Sequence, residues 1–327
     1  MALAVLVFHY DKWLTGIWDA STLQGKLGVY AVSIFFVLSG LTLTLSYQSR
    51  LQDTLQSWGS FFRKRFWRIF PLLWLATAFT LLLAEDPRSL MDICLNFTGL
   101  FGWLNPARDI ATGAWSIGCE LVYYGLFPPL LLLAQRSRIA FTAIFIAFLS
   151  IGIWASITWF SEMNVAQKDW WEAYVQAGNH AFFFVGGMMI GIFRPEGVLI
   201  PKGVWRRLFG LSMLAFICWP VGSVAFHLIS GQDRILLSLL TLCLVGTYFF
   251  SKIELKGYFH KAFSWLGAVS YSLYLLHPLV YRAFGAVYRK FGIPESYALI
   301  FIPALVGALI LSHFSYYFLE KPLMRRA

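Results

Sequence analysis

The sequence predicts an all-α fold, a polytopic membrane bundle of about ten transmembrane helices in one domain over residues 1–327. Hydrophobic residues make up 59% of the chain, charged residues only 13%, and the mean hydropathy is +0.66. Soluble domains carry roughly 25% charged residues, so a water-soluble globule of this composition would lack polar surface. The aromatic content of 18% also suits a chain that crosses membrane–water interfaces.

Ten apolar runs are predicted spans, and all but the first approach the length of about 20 residues that a spanning helix needs. The predicted spans lie near 1–10, 28–48, 69–84, 114–134, 139–160, 177–193, 208–228, 235–250, 264–284 and 297–319. The run 91–104 is apolar but short and contains Asn96, Gly99 and Gly102. We therefore expect this run to form an interfacial or re-entrant piece.

The first apolar run is short, because only ten residues precede Asp11. This is about half of a spanning helix. We expect a first helix that is truncated at its N-terminal end, with a shallow half-helix as the simpler alternative.

Basic residues alternate between the two sides of the predicted bundle, and 17 of the 26 fall on one side. They are Arg50, Arg63, Lys64, Arg65, Arg68, Arg136, Arg138, Arg194, Lys202, Arg206, Arg207, Lys252, Lys256, Lys261, Lys321, Arg325 and Arg326. The positive-inside rule then places both termini in the cytoplasm. The net charge of +10 is spread over short loops, which argues against a nucleic-acid partner.

Two ionisable residues lie toward the outer face within apolar runs, where such groups are costly and by default mark functional sites. His9 ends the first run, and a neutral imidazole there could act as a general base. An interfacial histidine bonded to a neighbour is the simpler interpretation. Glu120 shares a helix face with Ser116 and follows Trp115, and Gly118 permits close approach on the opposite side of the helix. A carboxylate that only orders helix packing is the alternative.

Two further runs carry polar groups. Arg65 and Arg68 face the same way at the cytoplasmic entrance of the third span, and arginine can bind phosphate in a bidentate manner. A cluster that faces lipid headgroups or solvent is the simpler interpretation. Tyr274 and His277 share a face of the ninth span, one turn after Tyr271. Pro278 follows, so a structural kink with a satisfied histidine is the alternative there.

The four cysteines lie in or beside apolar runs, with no metal-binding spacing among them. We interpret them as packing residues and expect neither a disulfide nor a metal site.

Five local motifs occur in order along nearly the whole chain. They are ALAVLVFH at 2–9, SIFFVLSG at 33–40, the Arg-x-x-Arg element of Arg65 and Arg68 with Pro71, the Trp-Ser-x-x-x-Glu element of Trp115, Ser116 and Glu120, and SYSLYLLH at 270–277 with the EKP ending at 320–322. Together they resemble the acyltransferase-3 family of integral membrane O-acyltransferases. The family pattern also has an arginine eleven residues before the first-helix histidine, a position that here falls upstream of Met1.

This resemblance implies acyl transfer, usually acetyl, from cytoplasmic acyl-CoA to a hydroxyl of an extracytoplasmic or cell-surface carbohydrate. His9 would be the catalytic base, and Glu120 would orient or charge its imidazole. Arg65 and Arg68 would bind the donor. The supporting residues would be Trp115, Ser116, Tyr271, Tyr274 and His277. Acyl-CoA would be a co-substrate, with no permanently bound cofactor. The implied setting is the plasma membrane of a bacterium, with lipid bilayer, saccharide acceptor and polysaccharide-assembly proteins as partners.

A transporter of an organic acid or lipid-linked sugar is the main alternative, because it also needs many spans and buried ionisable groups. No inverted repeat relates the two halves of the sequence, which argues against it. A non-catalytic membrane scaffold would leave Glu120 unexplained.

Overall fold

The computed structural model describes residues 1–83, 87–159, 167–193, 200–293 and 297–326. All regular structure within these ranges is helical, as predicted. Arg194, the first cation of one predicted basic loop, lies outside the described residues.

Fifteen α-helices occur in the described part of the chain. They are α1 Ala2–Thr15, α2 Leu23–Tyr47, α3 Leu55–Leu82, α4 Leu90–Thr98, α5 Phe101–Leu104, α6 Trp115–Arg136, α7 Arg138–Trp154, α8 Gln167–Tyr174, α9 Ala181–Ile192, α10 Lys202–Cys218, α11 Gly231–Ser251, α12 Gly257–Ala268, α13 Ser270–Lys290, α14 Tyr297–Phe314 and α15 Lys321–Arg326. Two π-helical segments, Ala155–Trp159 and Ser315–Glu320, extend α7 and α14.

Six described helices are long and apolar enough to cross a membrane, and each overlaps one predicted span. They are Leu23–Tyr47, Leu55–Leu82, Trp115–Arg136, Arg138–Thr158, Gly231–Ser251 and Leu299–Arg326. Ala181–Ile192 is apolar but shorter. The count of ten spans and the cytoplasmic termini stay predictions.

Two predicted segments differ in detail from the helices observed. The run 91–104 forms two short helices, α4 and α5, separated where Gly99 adopts a left-handed φ of 76°. The predicted span 264–284 is divided between two helices. Helix α12 ends at Ala268, and α13 begins at Ser270 after an interruption at Val269. The apolar character of the sequence continues through this break, so hydropathy alone did not show it.

The helices divide between two compact units. Unit 1 comprises residues 1–17, 59–121 and 256–327, and unit 2 comprises residues 18–58 and 122–255. In unit 1, α1 packs against α13 and α14, and the fully buried Tyr10 is the centre of this contact. Its ring centroid lies 5.2 Å from that of Tyr281 and 6.0 Å from that of Phe301. This packing places the last turns of α1 beside the middle of α13.

A second contact in unit 1 joins α5 to α6. A Cβ added at Gly102 would lie 2.2 Å from the carbonyl oxygen of Gly118, so the two backbones touch. The close approach predicted at Gly118 is therefore present. It fixes the short α4–α5 segment against the first turn of α6.

Unit 2 is organised by the crossing of α2 and α9, its most extensive helix–helix contact. Gly40 on α2 faces Phe184, and Gly187 and Gly191 on α9 form a Gly-x-x-x-Gly pattern that faces Val37 and Thr44. Lipid removes the hydrophobic drive between spanning helices, so small residues that allow backbone contact carry much of their association.

A buried polar cluster joins three other segments of unit 2. The Arg234 guanidinium, at the start of α11, donates to the carbonyl oxygen of Ile229 at 3.1 Å and to the side chain of Asn179 at 2.5 Å. The Tyr30 hydroxyl on α2 donates to the carbonyl oxygen of Leu228 at 2.8 Å. These hydrogen bonds satisfy polar groups away from water, as buried groups require.

The α2–α9 crossing generates a stability prediction. A Cβ at Gly187 would lie 2.0 Å from the carbonyl oxygen of Val37, so Gly187→Ala must separate the helices. Overpacking of this kind costs about 1–3 kcal/mol, and we expect a lower thermal-unfolding midpoint for the protein in detergent.

Gly210→Ala is the matched control, because Gly210 also lies within a helix of unit 2 but has open space around its Cα. Alanine stabilises a helix by up to about 1 kcal/mol relative to glycine, so its midpoint should stay level or rise. Equal midpoints for the two variants would contradict the backbone contact.

Candidate active site

Two histidines from opposite ends of the chain meet in unit 1. Nδ1 of His9 on α1 lies 2.8 Å from Nε2 of His277 on α13. Their ring centroids are 5.1 Å apart, with an angle of 22° between the ring planes. A nitrogen–nitrogen hydrogen bond thus joins residues that are 268 positions apart.

The other ring nitrogen of His277 determines which atom donates in this hydrogen bond. Nδ1 of His277 lies 3.0 Å from the carbonyl oxygen of Leu273, one turn earlier on α13. A carbonyl oxygen only accepts, so neutral His277 carries its proton on Nδ1 and presents a lone pair on Nε2. Nδ1 of His9 must then be the donor.

The consequence concerns the second nitrogen of His9. In a neutral imidazole one nitrogen donates and the other accepts, so Nε2 of His9 carries a lone pair. Among the described residues, none forms a hydrogen bond with this Nε2. The pair therefore presents an oriented proton acceptor.

Aromatic neighbours hold the two imidazoles in place. The Tyr10 hydroxyl donates to the carbonyl oxygen of His277 at 2.9 Å. The Trp13 ring stacks on His9, with a centroid distance of 5.1 Å and an angle of 23°, and lies 6.1 Å from the centroid of His277. Trp13 follows His9 by four residues, so the two share a helix face. Rotation of either imidazole would break several contacts at once.

A row of hydroxyl groups leads from this pair to α6. The Tyr274 ring centroid lies 6.2 Å from that of His277, and the Tyr274 hydroxyl lies 2.8 Å from Oγ of Ser116. Both hydroxyls lie within 3.1 Å of the carbonyl oxygen of Gly113. Gly113 has a φ of 84°, a left-handed conformation that favours glycine. The structure thus brings together His9, Ser116, Tyr274 and His277 from the predicted site.

Glu120 lies one turn beyond Ser116 on α6 and is partly exposed. The contact made by the His9 imidazole is with His277, whereas the sequence suggested Glu120 as its partner. A direct action of Glu120 on His9 stays a prediction.

The predicted donor arginines lie on α3. Nη1 of Arg68 lies 3.2 Å from Oε2 of Glu320, whose side chain is buried, and the Ser272 hydroxyl donates to Oε1 of the same carboxylate. The Arg68 guanidinium also lies 5.6 Å from the centroid of Tyr271. Arg65, three residues earlier on the same helix, is partly exposed. Arg68 is therefore anchored to two other helical segments of unit 1.

A short loop positions the start of α6, and with it Trp115, Ser116 and Glu120. The Asn96 amide donates to the carbonyl oxygen of Arg108 and accepts from the backbone N–H of Ile110, at 2.8 and 2.9 Å. Oδ2 of Asp109 accepts from the backbone N–H of Trp115 at 2.9 Å. This satisfies one of the N–H groups that a helix start leaves unpaired.

Comparison with known proteins identifies the setting of these residues. A family model described as "Acyltransferase domain" matches residues 2–317. The chain belongs to the acyltransferase-3 family. It is therefore a multi-pass membrane acyltransferase that transfers groups other than aminoacyl groups.

A curated relative is the exopolysaccharide production protein ExoZ of Rhizobium meliloti, which is 26% identical over 313 residues. The aligned region covers 92% of this chain and 90% of that protein. The search of solved structures gives no significant match.

Three residues of the candidate site were not predicted individually from the sequence: Tyr10, Trp13 and Ser272. Trp13 carried a local signal, since it follows His9 by four residues and shares its helix face. Glu320 was noticed only as part of a terminal motif, although an acid that ends a long apolar run is itself a signal for a buried partner. Its pairing with Arg68 spans 252 residues and had no local signature.

The loop before α6 generates a prediction on pH. Burial raises the pKa of the Asp109 carboxyl to about 7, although its hydrogen bond from Trp115 opposes this shift. The unfolded carboxyl titrates near pH 4. The folded state thus binds the proton more tightly, and its stability should fall as pH rises from about 4 to about 7.

Asp109→Asn keeps an acceptor oxygen and cannot titrate, so this pH-dependent loss should be absent from the variant. The measurement is the unfolding midpoint of both proteins in detergent across this pH range. Parallel curves for the variant and the wild type would show that Asp109 does not carry the effect.

Proposed function

We propose that this acyltransferase moves an acyl group, acetyl in the simplest case, from cytoplasmic acyl-CoA to a hydroxyl of an extracytoplasmic polysaccharide. Family membership supports the reaction class. The similarity to an exopolysaccharide production protein supports the acceptor class. The basic clusters support an orientation with both termini in the cytoplasm. The Rhizobium relative supports a bacterial inner-membrane setting. The observation that carries the proposal is the oriented lone pair on Nε2 of His9.

In the proposed reaction, Nε2 of His9 accepts the proton of the acceptor hydroxyl while its oxygen attacks the thioester carbonyl carbon. The carbon–sulfur bond then breaks, and the CoA thiolate takes the proton from His9 to leave as the thiol. A hydrogen bond from Nδ1 of His9 to His277 persists throughout and stabilises the imidazolium. The products are the acylated saccharide and CoA, and His9 returns to its neutral form.

Glu120 is proposed to add negative charge to the same row of residues. A carboxylate near an imidazole favours its protonated form, which is the form that His9 takes after it accepts the proton. Its position one turn beyond Ser116, whose hydroxyl bonds to that of Tyr274, supports this role. Trp115 and Ser116 would hold the start of α6 in register with Tyr274.

Arg65 and Arg68 are proposed to bind the anionic phosphates of the CoA moiety. Arg68 uses Nη1 for Glu320, and among the described residues none bonds to its Nη2 or Nε. This edge presents two N–H groups in the geometry that suits a phosphate. Glu320 would then orient the guanidinium, while Tyr271 supports its face.

The base role is tested by paired histidine variants. His9→Ala should lose at least about 100-fold in acyl transfer, since positioned base catalysis is worth about 10²–10⁴-fold. His277→Ala should retain the base but lose its orientation, and its loss in kcat should be smaller. The measurement is transfer of labelled acetyl from acetyl-CoA to saccharide by the purified protein in vesicles.

His227→Ala is the control, because His227 is an exposed histidine of unit 2 outside the described site, and it should keep wild-type turnover. Near wild-type turnover of His9→Ala would exclude the base role. Uptake of label into vesicles without covalent transfer would point to transport instead.

The donor role is tested separately. Arg65→Ala removes one phosphate-binding cation and should raise the KM for acetyl-CoA with little change in kcat, because the lost interaction acts in binding. Lys64→Ala is the neighbouring control, since Lys64 is exposed on the same helix. An unchanged KM for Arg65→Ala would overturn the assignment.

A further inference from the structure

Helix α12 differs from its neighbours because none of its twelve residues is buried. Tyr258 is 81% exposed, Phe259 is 65% exposed and Phe263 is 58% exposed. Lys256, at the N-cap, and Lys261 are exposed beside them. Large aromatic side chains and cations thus lie together on a helix that the fold leaves uncovered.

The side chains of α12 form an apolar face and a polar face on opposite sides of the helix. At about 100° per residue, Tyr258, Phe259 and Phe263 lie with Trp265 and Leu266 in an arc of about 160°. His260, Lys261 and Ser264 lie in an arc of about 100° on the opposite side. An apolar face with Tyr and Phe opposite a polar face that carries a lysine is typical of helices that lie flat in a membrane interface.

The attachment of α12 fixes where it lies. Val269, directly after the helix, is fully buried, and α13 begins at Ser270. Nε1 of Trp265 donates to Nδ1 of His313 on α14 at 3.0 Å. The α12 helix is therefore held beside the last turn of α14, a helix long and apolar enough to cross a membrane. The end of a spanning helix lies near a membrane surface.

We propose that α12 lies in the plane of the membrane interface and binds anionic phospholipid headgroups. Its aromatic face enters the boundary of the acyl chains. Lys256 and Lys261 contact the headgroup phosphates. A basic amphipathic helix also suits a protein partner. Lipid is favoured here because the helix is bonded to the end of the candidate span α14 and carries charge of the sign that anionic leaflets attract.

Two measurements on the full-length protein in vesicles test this proposal. In the first, phosphatidylglycerol with a photoactivatable headgroup should label the peptide that contains Lys256 and Lys261. Each lysine near an anionic surface contributes roughly fivefold in binding, so Lys256→Gln with Lys261→Gln should lower this labelling by more than tenfold. In the second, hydroxyl-radical footprinting should show Phe259 and Phe263 protected from oxidation.

Arg206→Gln with Arg207→Gln is the control pair, because both arginines are exposed near the start of another helix, α10. It should leave labelling of α12 unchanged. Oxidation of Phe259 and Phe263 at the rate of an unfolded peptide would overturn the proposal. So would crosslinking of α12 to another protein chain with no lipid label, which would identify a protein partner instead.

Discussion

The hydrogen bond between His9 and His277 is the interaction on which the candidate site depends. Because Leu273 offers only a carbonyl oxygen to Nδ1 of His277, the direction of every proton in the pair follows from a single contact on α13. The lone pair on Nε2 of His9 is a result of helix geometry. In a membrane enzyme, this arrangement avoids the cost of a buried charge in the resting state.

Helix packing makes this hydrogen bond possible and links it to the rest of unit 1. Tyr10 fills the space between α1, α13 and α14 and bonds to the backbone of His277. From His277 the contacts continue through Tyr274 to Ser116, while Ser272 on the same helix reaches Glu320 and Arg68. Helix α13 therefore supplies residues both to the proposed base and to the support of the proposed donor site.

Sequence reasoning predicted the helical membrane class, six of the spans and the residue types of the site, because each leaves a local signal. Apolar runs report spans, and ionisable groups such as His9 and Arg68 are costly within them. The pairing of His9 with His277 leaves no local signal in the sequence, because the spacing of residues along one helix does not show which helix lies beside it. The break at Val269 was missed for a related reason: the residues on both sides are apolar, but only those of α13 are covered by other helices.

The most direct test of the site is nitrogen NMR of the full-length protein in lipid bilayers, with histidine ring nitrogens labelled. At neutral pH, His277 should carry its proton on Nδ1, and a coupling through the hydrogen bond should link its Nε2 to the protonated Nδ1 of His9. A proton on Nε2 of His277, or no coupling between the two rings, would contradict the oriented imidazole pair.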